Sequence, residues 1–544
     1  MRKMCEDGEA MPRAELKQIE LRRFKSHQKL SQLEVAPLTV LLGRNNSGKS
    51  SLIQALLLLR QTLAHPRNDV PLHLEGAIDA LNLRELTSGW PDEESFAGPV
   101  FRIIWDSDVS IAHAMERAGN PDIKNLAKLS QIKGLTRWPE VVRLRTRMRL
   151  GYQELEGRLW LPKVTLNSWR IDTKSKRANP ALAVRCARPG AEYSVTWNEE
   201  RARKLTVELE HFLPFLDIDR RNVGPRNRER SWFNGYLVLY EQPLDDLRRS
   251  LERFVYLGSM RTTPPSIYRP ASVPPEDIGM SGEFAAQMLH SRQKDIVHYM
   301  PPIRISPQGP VEIPNRVSAR PLVEAVNDVM GELGIYARLR IEDLQNIGFR
   351  LLFGDASLQH VGRGLGYLLP VVQLGLIADP HRFDGGSGES SVEDFEGTAQ
   401  TFTHVAIEEP ETHLHPKVQT RLAHWLVSLA MTGRRLIIET HSDHLVRRLR
   451  GLIARAEAGS ELERWLEQNV VIAEVEQDEN GESTLTCSHL TAEGRIEERW
   501  PHDFMDEASE EERAIYYAGL DKQDEAELYM DDTEFIHDPP SPAD

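Results

Sequence analysis

The stretch Leu38-Thr39-Val40-Leu41-Leu42-Gly43-Arg44-Asn45-Asn46-Ser47-Gly48-Lys49-Ser50-Ser51-Leu52-Ile53 limits what this chain can fold into more than any other. An apolar run, Leu38 to Leu42, leads in and a long apolar segment, Leu52 to Leu63, leads out. That is the pattern of a buried strand, a glycine-bounded loop and a helix. Gly43, Gly48, Lys49 and Ser50 fill the spacing G-x-x-x-x-G-K-[ST], in which glycines let backbone N–H groups wrap around phosphates. Lys49 is expected to pair the β- and γ-phosphates and the Ser50 hydroxyl to ligate Mg²⁺. The helix beginning near Lys49 turns its positive end toward the anion. Gly43, Asn45, Asn46, Ser47, Gly48, Lys49, Ser50 and Ser51 are therefore the expected contacts to ATP, with Mg²⁺ as its companion cation.

A phosphate loop needs a carboxylate for the metal and a group that orients the attacking water. Both are found at His404-Val405-Ala406-Ile407-Glu408-Glu409-Pro410, an apolar strand that ends in two carboxylates. Glu408 suits the metal position and Glu409 the catalytic one. A helix from Lys417 to Leu429 and a strand, Arg435 to Glu439, come next, and that strand ends at Thr440-His441-Ser442. Strand, helix, strand with polar groups gathered at the carboxyl ends is the α/β arrangement that puts a site on one rim of a sheet. His441 is placed to meet the γ-phosphate. His413 and His415 lie near carboxylates, but their i, i+2 spacing in a loop lacks the usual geometry of a metal pair.

With 544 residues, two or three lobes are expected. The net charge of −15 excludes a uniformly basic surface while leaving room for a local one. Cys5, Cys186 and Cys487 are far apart, so neither a disulfide framework nor a zinc site is indicated. No apolar run reaches bilayer length and the N-terminus has no signal-like apolar core, which reads as a cytoplasmic chain. Between Pro121 and Pro180 there are fourteen Lys/Arg against five Asp/Glu, with Trp138, Trp160 and Trp169 interleaved. Such a segment suits a nucleic-acid backbone. The plainer reading, which the sequence favours, is a solvated insertion whose tryptophans form its own small core. Val470 to Val475 and Leu485 to Leu490 form a hairpin pattern around Asn480-Gly481, and Arg382 to Gly397 reads as a mobile loop. The last forty-four residues carry fifteen acids against two bases and read as a disordered tail.

The order of phosphate loop, long insertion, Glu408-Glu409-Pro410-Glu411-Thr412-His413-Leu414-His415-Pro416 and Glu439-Thr440-His441-Ser442 resembles the ABC-type ATPase heads related to SMC proteins and the OLD family. Within that group it is similar to stand-alone, AAA-like ATPases with a C-terminal segment such as Gly494-Arg495-Ile496, then Trp500-Pro501. The resemblance implies an α/β fold, an ABC-ATPase-like head of mixed sheet, flanking helices and antiparallel lobe, split by a long insertion. Its expected parts are a leader (1–16), an N-terminal ATPase lobe (17–110), a basic insertion (111–249), a C-terminal ATPase lobe (250–505) and an acidic tail (506–544). It also implies Walker roles for Lys49, Ser50 and Glu408, a catalytic Glu409 and a switch His441. Heads of this type form ATP-dependent homodimers in which a signature segment faces the partner's phosphate loop. Here that segment is Val361 to Tyr367, with Gly362, Gly364 and Gly366 as candidate phosphate contacts. It lacks the family's serine, and Glu408 stands where many relatives have aspartate. The implied function is an ATPase that clamps DNA through 121–180, or a separate effector protein, as in DNA maintenance or phage defence. An OLD-type nuclease and an ATP-binding scaffold with little turnover are the alternatives.

Overall fold

In the computed structural model, the described residues are 14–89, 97–171, 178–224, 226–275, 277–305, 311–314, 316–345, 347–381, 388–391 and 403–496, with Glu511 and Ala514. The acidic tail apart from those two residues, most of the leader and the segment Trp500-Pro501 lie outside them. Strand β1 (Ala14–Arg22) opens the fold and turns back into β2 (Ser31–Glu34), so the lobe starts inside the stretch expected as a leader. Strand β3 (Leu38–Leu42) is buried at every position and delivers the chain to the phosphate loop. Helix α1 (Lys49–Leu63) follows. Leu52, Ile53, Leu56 and Leu58 of α1 are fully buried, each worth about 1.5–3 kcal/mol relative to exposure. An all-round apolar helix of this kind belongs between two layers, and α1 lies in the core shared by the two main sheets.

The long strands β4 (Ala97–Ser110), β5 (Val141–Leu155) and β6 (Arg158–Arg170) continue the β1–β2 hairpin, followed by β7 (Leu182–Arg185), β8 (Ser194–Trp197) and β9 (Glu200–Ala202). Together they form an antiparallel eight-stranded sheet in the order β2-β1-β4-β5-β6-β7-β8-β9. The basic segment is therefore not set apart from the lobe before it. β5 pairs with β4 along almost its whole length, because Val142, Leu144, Met148 and Leu150 alternate with arginines and bury one face against the common core. Nor do its tryptophans form a separate core. Trp160 is buried, Trp138 packs against the shared core beneath Arg170, and Trp169 lies under Arg147. The hairpin β10 (Leu205–Glu210) and β11 (Leu213–Ile218) leads to helix α2 (Gln242–Glu252), which packs on β1, β4 and α1.

The second sheet is assembled from distant parts of the chain. Its members are β3, the short β12 (Val255–Leu257), β13 (Thr403–Glu408), β14 (Arg434–Glu439), β15 (Val470–Gln477) and β16 (Ser483–His489). The order β12-β13-β14-β3-β15-β16 is parallel except for the last pair, a hairpin turned at Asn480-Gly481 as its sequence suggests. Helices α3 (Arg363–Ile377), α4 (Pro416–Met431) and α5 (Asp443–Ile453) complete this α/β layer. Gly388–Ser391, inside the stretch expected as a loop, is a strand paired with 316–319. No helix among the described residues is long and apolar enough to cross a membrane.

Buried polar groups lie between the layers, and His404 links the two sheets. Fully buried His404 on β13 accepts from the Leu16 amide on β1 and contacts Ser250 on α2, and burial pushes its imidazole down to about 3, so it stays neutral. Arg434, fully buried, donates to the carbonyls of Gly375 and His298 and fixes the start of β14. Asp246 on α2 is 1% exposed, and burial raises its carboxyl to about 8 against a smaller opposing influence of the nearby Ser107 hydroxyl. Because the folded chain keeps this proton and the unfolded chain releases it near pH 4, stability present at low pH is lost as pH rises toward 8. Asp246→Asn should remove up to roughly one kcal/mol of this loss per pH unit. Thermal melts from pH 5 to 9 should show a flatter decline in the variant, and parallel declines would refute the assignment.

Candidate functional site

The site lies on the rim where β3, β13 and β14 end. Because the three strands are parallel, their carboxyl ends point the same way, and the register sets Glu408 beside Glu439 and Glu439 beside Leu41. The phosphate loop leaves β3 at Gly43, whose φ of 142° is unfavourable for any residue with a Cβ. A Cβ there would also lie 2.2 Å from the Val475 carbonyl oxygen. Gly48 caps α1 with φ 102°, and a Cβ there would meet the hydroxyls of Ser26 and Ser483. The loop is clamped from both sheets. Ser483 Oγ donates to the Ser47 carbonyl at 2.5 Å. His27 contacts the Gly48 carbonyl through Nε2 at 3.1 Å and Ser31 Oγ through Nδ1 at 2.8 Å. A carbonyl only accepts, so Nε2 carries the proton.

Lys49 is 3% exposed and donates to the carbonyls of Gly43 and Arg44 at 3.0 and 2.7 Å. Burial lowers its ammonium from the ordinary value, opposed by Glu439, Glu409 and Glu408 in that order. Ser50 Oγ lies 2.8 and 3.0 Å from the two carboxylate oxygens of Glu439, which also stands 3.9 Å from Lys49 Nζ. Burial first, then the charge of Glu408, raises Glu439 to about 7 against the pull of Ser50 and Lys49. Asn45 and Asn46 are exposed at the loop tip, Asn46 with φ 64°, while Ser47 and Ser51 are buried beneath it.

Glu408 is 7% exposed, and burial raises its carboxyl against hydrogen bonds from Tyr256 and the Ser259 amide. Its Oε1 is buried without a hydrogen-bond partner among the described residues. An orphaned carboxylate oxygen on the strand next to Glu439, which itself contacts the Ser50 hydroxyl, completes a donor set that suits a hard cation. Glu409 adopts φ 44°, a left-handed conformation that is strained for a residue with a side chain. Several contacts hold it. Its amide donates to the Glu439 carbonyl at 2.7 Å, Arg261 donates to its carbonyl at 3.2 Å, and Thr412 Oγ1 donates to its carboxylate at 3.0 Å. Arg261 also donates to the Glu408 carbonyl at 2.8 Å. The His441 amide donates to Glu411 at 2.8 Å, and burial and the nearby Lys49 lower its imidazole while Glu409 raises it.

The phosphate-loop residues, Glu408, Glu409 and His441 thus share one rim, as their sequence positions imply. The signature glycines differ among themselves. Gly362 caps α3 with open space where a Cβ would be, whereas Gly364 and Gly366 pack against the His413 carbonyl and Pro264. His415 caps α4 and His413 lies against Tyr367. Among the described residues no group of three or more His, Cys, Asp or Glu is arranged to hold a metal. Sequence reasoning passed over Glu439, Arg261, Glu411, His27 and Ser483. For Glu439 the signal was present, a carboxylate closing an apolar strand directly before Thr440-His441.

Residues 15–103 and 389–446 match the family described as AAA ATPase domain, in two stretches separated by a long intervening segment. Among curated proteins none matches the sequence. Among solved structures, an SMC head bound to the C-terminal winged-helix domain of ScpA is similar at 12% identity and TM-score 0.35, covering 87% of this chain and 98% of the other. The SMC head domain of Thermotoga maritima is similar at 10% identity and TM-score 0.32, with coverage of 87% and 98%. A Pyrococcus furiosus SMC head bound to the C-terminal domain of ScpA is similar at 11% identity and TM-score 0.33, with coverage of 88% and 97%.

Gly43→Ala should cost on the order of 1–3 kcal/mol, because the Val475 carbonyl must move and the φ is strained. Urea unfolding checks this, and an unchanged midpoint would mean that the loop adopts another conformation.

Proposed function

We propose that the chain binds ATP with Mg²⁺ at this rim and hydrolyses it. The observation that carries the reading is the convergence of Lys49, Ser50, Glu408, Glu409 and Glu439 at the ends of parallel strands around a loop built to wrap phosphate. The buried, unpartnered Oε1 of Glu408 suits a cation, which Ser50 and Glu408 would hold. When bound, the cation neutralises charge on the β- and γ-phosphates. Lys49 releases the Gly43 and Arg44 carbonyls to meet those phosphates, and Glu409, fixed by Thr412, polarises the attacking water. His441 faces the γ-phosphate. ATP then joins two copies as a homodimer, with Gly362 at the start of α3 turned to the partner, and the closed dimer acts on a separate effector or on DNA. The motif order is what supports a place in DNA maintenance or phage defence.

A specific observation supports a nucleic-acid partner. Neighbouring strands of the eight-stranded sheet align Arg22, Val100, Gly151, Lys163 and Arg185 in one row, beside a row with Arg102, Arg149 and Thr165. Four strand spacings make the first row about 19 Å long. Arg22, Arg149, Lys163 and Arg185 have no ion pair among the described residues, and Arg185 and Arg149 add to burial in lowering the Lys163 ammonium. Arg143 and Arg145, by contrast, are neutralised by Glu15 and Asp106 at 2.5 and 2.6 Å. The basic face therefore draws on β1 and β7 as well as on 121–180.

Two measurements test these readings. Glu409→Gln should lower phosphate release by about 10²–10⁴-fold while ATP still shifts the mass in solution to a dimer. An ATP-dependent dimer without phosphate release from the unaltered chain would favour the scaffold, and metal-dependent DNA cleavage by that chain the nuclease. For DNA, replacing Arg22, Arg149 and Lys163 by Glu should weaken duplex binding and flatten its log–log salt dependence by roughly three units. Equal weakening by replacing Arg143 and Arg145 would defeat the assignment to this face.

A further inference from the structure

Glu439 belongs to none of the roles given so far, yet it makes the closest side-chain contacts to the phosphate loop of any carboxylate on the rim. Ser50 Oγ lies 2.8 and 3.0 Å from its two oxygens and Lys49 Nζ 3.9 Å away. No contact among the described residues joins Ser50 to Glu408. The strand order explains the difference, since β14 lies between β3 and β13 and Glu408 is one strand farther from the loop. Two neighbouring oxygens in an octahedral Mg²⁺ shell, each about 2.0–2.1 Å from the metal, are about 2.8–3.0 Å apart. The Ser50–Glu439 separation matches that edge. On the other side of Glu439, in register, Glu408 is 7% exposed and keeps an unpartnered oxygen. We propose that Glu439 is a direct ligand of the divalent cation, sharing it with Ser50 on one side and Glu408 on the other.

The consequence is a site with two carboxylates where a phosphate loop ordinarily has one, built wholly of oxygen donors and suited to Mg²⁺ or Mn²⁺ rather than to a soft metal. The same residue holds Glu409 in place, because its carbonyl accepts the Glu409 amide at 2.7 Å. Metal binding and the position of the catalytic carboxylate are thus joined through one side chain and its own backbone.

The inference rests on the ATP reading above, and the test separates the two. Free Mn²⁺ is followed by electron paramagnetic resonance while the full chain is titrated in the presence of ADP, for the unaltered protein, Glu439→Gln and Glu439→Asp. Binding of a fluorescent ATP analogue in EDTA is measured in parallel. Expected are a Mn²⁺ affinity at least tenfold weaker in Glu439→Gln, a smaller loss in Glu439→Asp, and metal-free analogue binding that is unchanged or stronger. Equal or tighter Mn²⁺ binding in Glu439→Gln overturns the inference and makes Glu439 a latch on Ser50, while the ATP reading stands if the analogue binds. If the unaltered chain binds neither analogue nor Mn²⁺, both fall. Should Glu439→Gln fail to fold, Glu439→Asp decides, and an affinity equal to that of the unaltered chain counts against the proposal.

Discussion

Strand β3 runs between β14 and β15, and the placement of every charged group on the rim follows from it. Parallel pairing sends all the carboxyl ends one way, so the loop after β3, the Glu439 end of β14 and the Glu408 end of β13 meet on one side. With strands about 4.8 Å apart, Glu439 neighbours the loop and Glu408 is roughly 10 Å across the sheet from β3. Placing three glutamates and a lysine together at the end of a buried sheet is costly, because desolvation disfavours each charge and the carboxylates repel. The raised carboxyls of Glu408 and Glu439 and the lowered Lys49 ammonium record that cost. Ser50, Tyr256 and the Ser259 amide offset part of it, and a cation with phosphate would offset more.

Much of this was legible in the chain, because its signals are local. A five-residue buried strand, glycines at fixed spacing and an apolar helix define the phosphate loop within one short stretch. The strand ending in Glu408-Glu409 and the hairpin at Asn480-Gly481 are likewise set by neighbours in sequence. What escaped was set by partners hundreds of residues away. Glu439 gains its meaning only when β14 is inserted next to β3, 389 residues from Ser50 in sequence. Arg261 looks like a loop cation until the fold lays it against the carbonyls of Glu408 and Glu409. The arginines of β5 show the same limit. Their alternation predicts a charged face, but which of them are neutralised depends on Glu15 and Asp106 from other strands.

The sheet itself runs across the expected boundary between lobe and insertion. Composition changes near residue 121, yet β4 and β5 share one register and one buried face across that change. Charge distribution reports what faces solvent, and hydrophobic alternation reports what is shared with the core. In β5 the two coexist on opposite faces, so a basic segment and a structural strand are the same residues.

The phosphate loop is not held by its own conformation alone. Ser483 from the second sheet and His27 from the first both bond to its carbonyls, and at Gly48 those neighbours leave no room for a Cβ, as the Val475 carbonyl leaves none at Gly43. On the opposite side, Arg261 grips the backbone of Glu408 and Glu409 while its guanidinium lies 6.0 Å from the Tyr367 ring in α3, which in turn packs on His413. Gly364 at the start of α3 presses against the carbonyl of that same His413. A shift of α3 would therefore bear on His413 and Arg261 before it reached Glu409. Glu409 is also the residue held in a strained left-handed conformation. The strain at Glu409 is thus maintained by contacts that run to α3, which gives a displacement of that helix a physical route to the geometry of the rim.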